Sequence, residues 1–425
     1  MKIAVVGTGI AGLTVAAGIA DRHELTVFEA SDWVGGHTST VDVEEDGRTI
    51  AVDTGFIVFN DWTYPNFISM LERIGVPWQA SNMSFSLQCE RTGLEYNGTT
   101  VNTLFAQRRN LLRPSFLHMI WEILRFNREA PTFLATGDET TTLGEWLDSR
   151  HFGETFVEHY VVPMGRAIWS AEAQAMLRFP ASFFIDFFHR HGFLSVDERP
   201  QWQVVRGGSR EYVRKLVAPF ADCIRTRTPI ASVRRLANEV VLRSAEGEVF
   251  RFDAVVLACH SDEALGLLED PSQAEREILG ALPYARNEVL LHTDESLLPQ
   301  RPLARAAWNY HLRRRPGAGV AVTYDMNVLQ SLSTRRRYLV SLNMADAIDP
   351  RQVLRSFDYS HPVYTPEGVA AQKRHDEISG ARRSFYCGAY WRHGFHEDGL
   401  VSGLAALGQF NRWEADAQRP LQRVG

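Results

Sequence analysis

Along the first thirty residues, apolar positions fall into two short runs separated by a helical stretch. Lys2 leads into Ile-Ala-Val-Val, Gly7 to Gly12 break the run, small and apolar residues return at helical spacing from Leu13 to Ala20, and Leu25 to Phe28 form a second run ending at Glu29. Strand, glycine turn, helix, strand is the opening of a βαβ unit. From about Asp61 to Trp202 the texture changes to long aromatic-rich stretches, including Phe105 to Glu129 and Phe179 to Phe193, which predict a mostly helical insertion. The chain then returns to a Gly207-Gly208-Ser209 turn, a helical run to Val217, hairpin-like strands around Ala245-Glu246-Gly247 and an apolar strand from Ala254 to Ala258. Strand-like runs at 287–292, 320–324 and 338–343 follow, and 384–388 then a helix from about Gly399 read again as strand and helix. One nucleotide-binding domain threaded by two insertions explains this order. The expected architecture is α/β: a discontinuous Rossmann-like domain from residues 1–60, 203–283 and 381–425, and a mixed-sheet and helical substrate or lid domain from 61–202 and 284–380.

Composition narrows the picture without redirecting it. The 425 residues are 45% apolar and 23% charged, with a net charge of -6, the balance of an ordinary globular chain and not of a polyanion binder. The four cysteines are far apart with no CxxC pair, so neither a disulfide framework nor a thiolate zinc site is expected, and a reducing cytoplasm fits. No signal peptide is read at the N-terminus, and no run approaches the roughly 18 apolar residues of a membrane span. No metal site is expected; His393 and His396 at i, i+3 lack further ligands, and the arginine runs 313–315 and 335–337 read as solvated edges with no nucleic-acid partner.

Gly7-Thr8-Gly9-Ile10-Ala11-Gly12 matches GxGxxG after a strand and before a helix, with the acidic Glu29 closing the next strand. Gly7 permits the tight turn, Gly9 lets backbone approach a pyrophosphate, and Gly12 allows close helix–sheet packing, while the helix N-terminus offers unpaired N–H groups to the anion. Glu29 suits the ribose hydroxyls.

The continuation through Ala30 to Val34, Gly35, Gly36, His37 and Thr38 resembles the second glycine signature of the flavin amine oxidase and phytoene desaturase superfamily. That resemblance implies FAD, with Gly35 and Gly36 against the pyrophosphate and ribityl chain, and His37 where the family commonly has an arginine. Asp53 to Phe56, with Thr54, Gly55 and Phe56 beside the flavin, Gly207 to Ser209, Ile230 to Val233, with Val233 at the adenine, and Ala254 to His260 are similar to further segments of the same family. Phe385 to Gly388 and Gly394 to Gly403 look like its closing motif, which brings in Gly388, Glu397, Asp398, Gly399 and Leu400. A helix starting near Asp398 would aim its positive end at the flavin. Members with covalent flavin carry a cysteine where this chain reads Ala389 to Arg392, so non-covalent FAD is expected.

Departures from the amine-oxidase members bear on substrate. Asn287 aligns with the lysine that many of them place facing the flavin, and Phe395 with one of their caging aromatics, so both, with His396 as a proton acceptor, are the expected catalytic positions. Trp169, Phe179, Phe183, Phe184, Phe187 and Phe188 suit either a core stripe or a tunnel lining. Arg108, Arg109 and Arg113 beside Leu111, Leu112, Phe116, Leu117, Met119, Ile120, Trp121, Ile123 and Leu124 suit either an interfacial helix or a lid with solvated arginines. The leading expectation is an FAD-dependent enzyme that desaturates or dehydrogenates an apolar substrate such as a lipid acyl chain or polyene, in the cytoplasm with peripheral contact to the inner membrane face. An amine or amino-acid oxidase and a non-catalytic regulatory flavoprotein remain the alternatives, and oligomeric state is not read from the sequence.

Overall fold

The computed structural model describes residues 1–314 and 319–418, so Arg315 and the final seven residues of the expected nucleotide domain lie outside the described residues. Five strands form a parallel sheet in the order Ile224–Arg225, Glu24–Phe28, Lys2–Val6, Ala254–Leu257, Ser384–Tyr386. Parallel strands are buried on both faces, which is why these segments read as unbroken apolar runs. Ile3 and Val5 point to one face, under the helices Ile10–Ile19 and His396–Gln418; Ala4 and Val6 point to the other, under the antiparallel sheet Ile230–Arg235, Val240–Ser244, Val249–Phe252. The fold is α/β with a discontinuous Rossmann-like domain.

The second layer is a seven-stranded mixed sheet in the order Val353–Pro362, Tyr284–His292, Leu339–Leu342, Val322–Asp325, Trp308–Leu312, Phe85–Cys89, Leu94–Asn97. The first insertion therefore contributes two strands to this sheet as well as helices, and Trp202–Val205 pairs with both Val58–Asn60 and Trp78–Ala80. Helices Pro114–Leu134, Val162–Trp169 and Ala181–Arg190 cover the sheet through an aromatic core.

The aromatic-rich stretch expected to be helical from Phe105 to Glu129 is a short 3₁₀ turn, Arg108–Leu112, followed by the helix Pro114–Leu134. Proline disfavours helical geometry in the residue before it, and Arg113 is extended (φ -104, ψ 103) while Pro114 takes the first helical turn. Phe116, Met119 and Phe126 turn inward at helical spacing, whereas Leu117, Trp121 and Leu124 face out.

Candidate functional site

A cavity of about 1020 Å³ runs from the carboxyl ends of the parallel strands into the space under the mixed sheet. Such crevices are where open α/β sheets bind ligands. Its nucleotide end is lined by Gly7, Gly9, Ile10, Ala11, Glu29, Ala30, Gly35, Gly36, His37, Thr54, Gly55 and Phe56, and the closing segment adds Gly388, Phe395, His396 and Gly399.

Backbone geometry explains the glycines. Gly7 adopts φ +103, and a Cβ there would lie 2.9 Å from the Ala258 carbonyl oxygen of the neighbouring strand. A Cβ on Gly9 would meet nothing within 4 Å, so that backbone faces open space. Gly36, at φ +57, packs directly on Gly9: a Cβ there would come within 3.1 Å of the Gly9 Cα. Two glycine turns laid against each other at the N-terminus of helix Ile10–Ile19 make a cradle for a dinucleotide's pyrophosphate. Glu29 is buried beside it, accepting hydrogen bonds from the Thr8 N–H (3.1 Å), the Thr8 hydroxyl and the Ser31 N–H (2.9 Å).

Other expected residues act one layer back. Gly12 does not line the cavity; a Cβ there would strike the Gly7 carbonyl at 2.2 Å, so its role is to let the helix close on the turn. Thr38 is buried with its hydroxyl 2.6 Å from Tyr212 Oη. Val233 and Leu400 are core residues, and Ile230 reaches the cavity on the strand where Val233 was expected to. The Glu397 carboxylate caps a different helix, accepting from the Asn66 and Phe67 N–H groups (3.0 and 2.9 Å) and the Asn66 amide (2.6 Å). Asp398 accepts the Phe395 N–H (3.0 Å), and burial raises its pKa to about 6. Asp53 is raised to about 6 by burial as well; it anchors the Gly207-Gly208-Ser209 turn by accepting from the Ser209 N–H (2.8 Å) and hydroxyl (2.9 Å).

The three expected catalytic positions separate. Phe395 lines the cavity and stacks on Phe187 (4.8 Å between centroids). His396 lines it too, stacked on Phe56 at 3.7 Å, with Nε2 2.6 Å from Tyr212 Oη. Burial lowers its pKa to about 3, and with Nε2 engaged the ring fits a wall better than a proton acceptor. Asn287 does not line the cavity, unlike Val289 two residues on; its amide donates to the Ala285 carbonyl (3.1 Å), and its Oδ1 accepts from Asn343 (2.9 Å).

Of the six aromatic residues expected as tunnel or core, only Trp169 lines the cavity, and the five phenylalanines are packed behind it. The wall is instead made by Ile168, Trp308, Tyr324, Leu342, Tyr359 and Tyr364, with His260 and His361 at the junction of the two layers. These residues come from strand ends far apart in the chain, and no local motif marks them. Among the described residues no group of three or more His, Cys, Asp or Glu side chains is placed to hold a metal, and no helix is long and apolar enough to cross a membrane.

The family profile described as flavin containing amine oxidoreductase matches residues 10–406. "Probable zeta-carotene desaturase" of Synechococcus elongatus is 20% identical over 271 residues, covering 58% of this chain and 53% of that protein. Among solved structures, cyclohexylamine oxidase from Brevibacterium oxydans superposes with a TM-score of 0.71 at 13% identity, covering 98% of this chain and 99% of that one. A CLA-producing fatty acid isomerase from P. acnes superposes with a TM-score of 0.68 at 16% identity, covering 96% and 98%. The glycine cradle and buried Glu29 fit FAD, and the chain belongs to the flavin-containing amine oxidoreductase family as an FAD-dependent oxidoreductase.

Proposed function

We propose that this oxidoreductase dehydrogenates an elongated apolar substrate, a lipid acyl chain or polyene. The observation that carries the reading is the wall facing away from the nucleotide. Ile168, Trp169, Val289, Trp308, Tyr324, Leu342 and Phe395 make it apolar, and the charged side chains the second layer adds are Arg355 and Asp358, both exposed on the strand Val353–Pro362. His361 and His393 also reach the cavity, and burial lowers both to about 4, leaving them neutral at physiological pH. A protonated amine entering here would give up hydration for no buried carboxylate, at a cost of several kcal/mol. A methylene chain gains about 0.8 kcal/mol per buried CH₂. The desaturase relative and the fatty acid isomerase of the same fold support this reading, and the cyclohexylamine oxidase supports the alternative of an amine oxidase.

Bound FAD supplies a two-electron acceptor for a hydride leaving a substrate carbon. The chain's own part is to exclude water with the aromatic wall, to close it with Phe395, and to hold the closing helix's N-terminus against the cavity at His396 and Gly399. Anaerobic bleaching of the flavin band tests the reading. Bacterial phospholipids, free fatty acids and polyenes are compared with a panel of amines and amino acids; reduction by lipid supports it, and rapid reduction by a simple amine with no response to lipid overturns it.

A membrane as the source of such a chain is supported by a second observation. Leu111, Leu112, Leu117, Trp121 and Leu124 are all exposed on the segment 108–124, Leu112 to 88%, beside the exposed Arg108 and Arg109. We propose peripheral contact with an anionic lipid surface through this face, each basic residue contributing about 1 kcal/mol at low salt. Co-sedimentation with phosphatidylglycerol vesicles is the check, and folded holoprotein that stays in the supernatant at low salt refutes it.

A further inference from the structure

We infer that His37, His260 and His361 form the anion-binding corner of the FAD site, contacting the pyrophosphate arm in place of an arginine and taking up a proton when the cofactor binds.

Their placement comes from three separate elements. His37 follows Gly36, which packs on Gly9, the position where backbone approaches the pyrophosphate. His260 lies two residues after Ala258, whose carbonyl abuts Gly7, and immediately precedes helix Ser261–Leu267. His361 comes from the mixed sheet. The His37 ring is 5.9 Å from that of His260 and 5.6 Å from that of His361, and all three line the cavity. His37 Nε2 is a buried polar atom with no partner in the protein. Because His37 lines the cavity, that atom is placed to meet a ligand there.

Asn287 sets the state of His361. Its Nδ2, already directed at the Ala285 carbonyl, lies 3.3 Å from His361 Nδ1, and its Oδ1 is taken by Asn343. Nδ1 must then accept, which leaves the hydrogen on Nε2 as a donor. Asn287 is on this account a positioning residue acting through His361.

Charge supply gives the cluster a role beside the backbone cradle. The pyrophosphate brings two negative charges, yet among the described residues no lysine lines this cavity and Arg355, exposed on the strand Val353–Pro362, is its one arginine. A buried anion needs donors and countercharge. In the protein alone, burial and mutual repulsion hold His37 at about 3 and His361 at about 4, so both are neutral. A dianion against them works in the opposite direction. The ionisable groups around the cluster are Cys259, Glu263, Tyr284, Arg355, Asp358, Tyr359 and His396; Glu263, Arg355 and Asp358 are exposed, so the pull toward a protonated imidazole comes from the dianion itself.

Proton uptake makes FAD retention pH-dependent. Release of FAD from diluted holoprotein, followed by recovery of free-flavin fluorescence from about pH 6 to 9, should accelerate as pH rises. The limit is about tenfold in affinity per pH unit for one proton. His37→Arg should release FAD slowly and without pH dependence, because its charge is permanent. His37→Gln should release it faster, and the His37→Gln/His361→Gln pair should lose the pH dependence. A profile that survives in the double variant and is lost when His260→Gln is added keeps the proton within the cluster; a flat wild-type profile overturns the proposal, as does one that survives all three substitutions, which would assign it to Asp398. Phosphorus NMR of wild-type holoprotein needs no variant to fold: pyrophosphate resonances that titrate between about pH 6 and 8 support the proposal, and resonances that do not move across that range overturn it.

Discussion

The two ends of the cavity are built by opposite means. At the nucleotide end the shape is set by backbone: Gly7, Gly9 and Gly36 bring main chain against main chain, and the polar side chains Glu29, His37, His260 and His361 stand around that cradle. At the substrate end bulky side chains from separate strands converge, with Trp169, Trp308 and Tyr324 in front and Phe184, Phe187 and Phe188 packed behind. A glycine turn tolerates almost no substitution, whereas an aromatic wall can be recut without disturbing the cradle. That difference lets one cofactor platform serve many substrates.

Acid should test both ends at once, with the largest effect. His37 and His396 at the cofactor end, and His311 on a strand of the mixed sheet, are each lowered to about 3 by burial, against an unfolded value near 6.5. The unfolded chain then binds more protons below about pH 6.5, and stability falls as pH drops, by about 2 kcal/mol per such histidine at pH 5. Asp53 and Asp398, raised to about 6, act the other way, but His191, His292, His361 and His393 are also lowered, so the histidines dominate. Thermal melts at pH 7 and pH 5 should show a large fall in Tm, smaller with FAD bound.

Phe184→Ala separates the regions more cleanly. Phe184 is fully buried and stacks on Phe188 at 4.2 Å without reaching the cavity. A loss of about 3–5 kcal/mol in denaturant melts is expected, with the flavin content of the folded fraction unchanged. Gly12→Ala should do the converse. Pushing a methyl against the Gly7 carbonyl costs about 1–3 kcal/mol and distorts the cradle, so the purified protein should lose its 450 nm-region flavin absorbance out of proportion to its folded content. The smallest effect is Glu29→Ala, which removes the carboxylate expected to meet the ribose, worth about 0.5–1.5 kcal/mol per hydrogen bond. Weaker FAD retention is expected in equilibrium dialysis, with a modest fall in Tm because the Thr8 and Ser31 donors lose their acceptor.

Legibility followed the same division. The parallel sheet and the Gly7 to Gly12 turn were readable because a positive φ and a close backbone approach each demand a particular residue at a particular spacing. Phe183 and Phe187 carried no such constraint: a phenylalanine at helical spacing reads the same whether it faces a ligand or another phenylalanine. Glu397 misled because its place in the closing motif says nothing of where its side chain turns, and here it reaches the N–H groups of Asn66 and Phe67. Tyr212, which bridges Thr38 and His396, could be found only by tertiary contact, since its partners are 174 and 184 residues away. His260 and His361 escaped for the same reason.

The pairing of Ser384–Tyr386 with Ala254–Leu257, and of the helix His396–Gln418 with Ile10–Ile19, also has a meaning in time. A ribosome delivers the first glycine turn early and Gly399 hundreds of residues later, yet both line one cavity. Until the late segment emerges, strand Ala254–Leu257 presents an open sheet edge, the kind of surface on which nascent chains misassemble. The late segment thus covers that edge and, in the same movement of chain, completes the cavity lining at Gly388, His396 and Gly399.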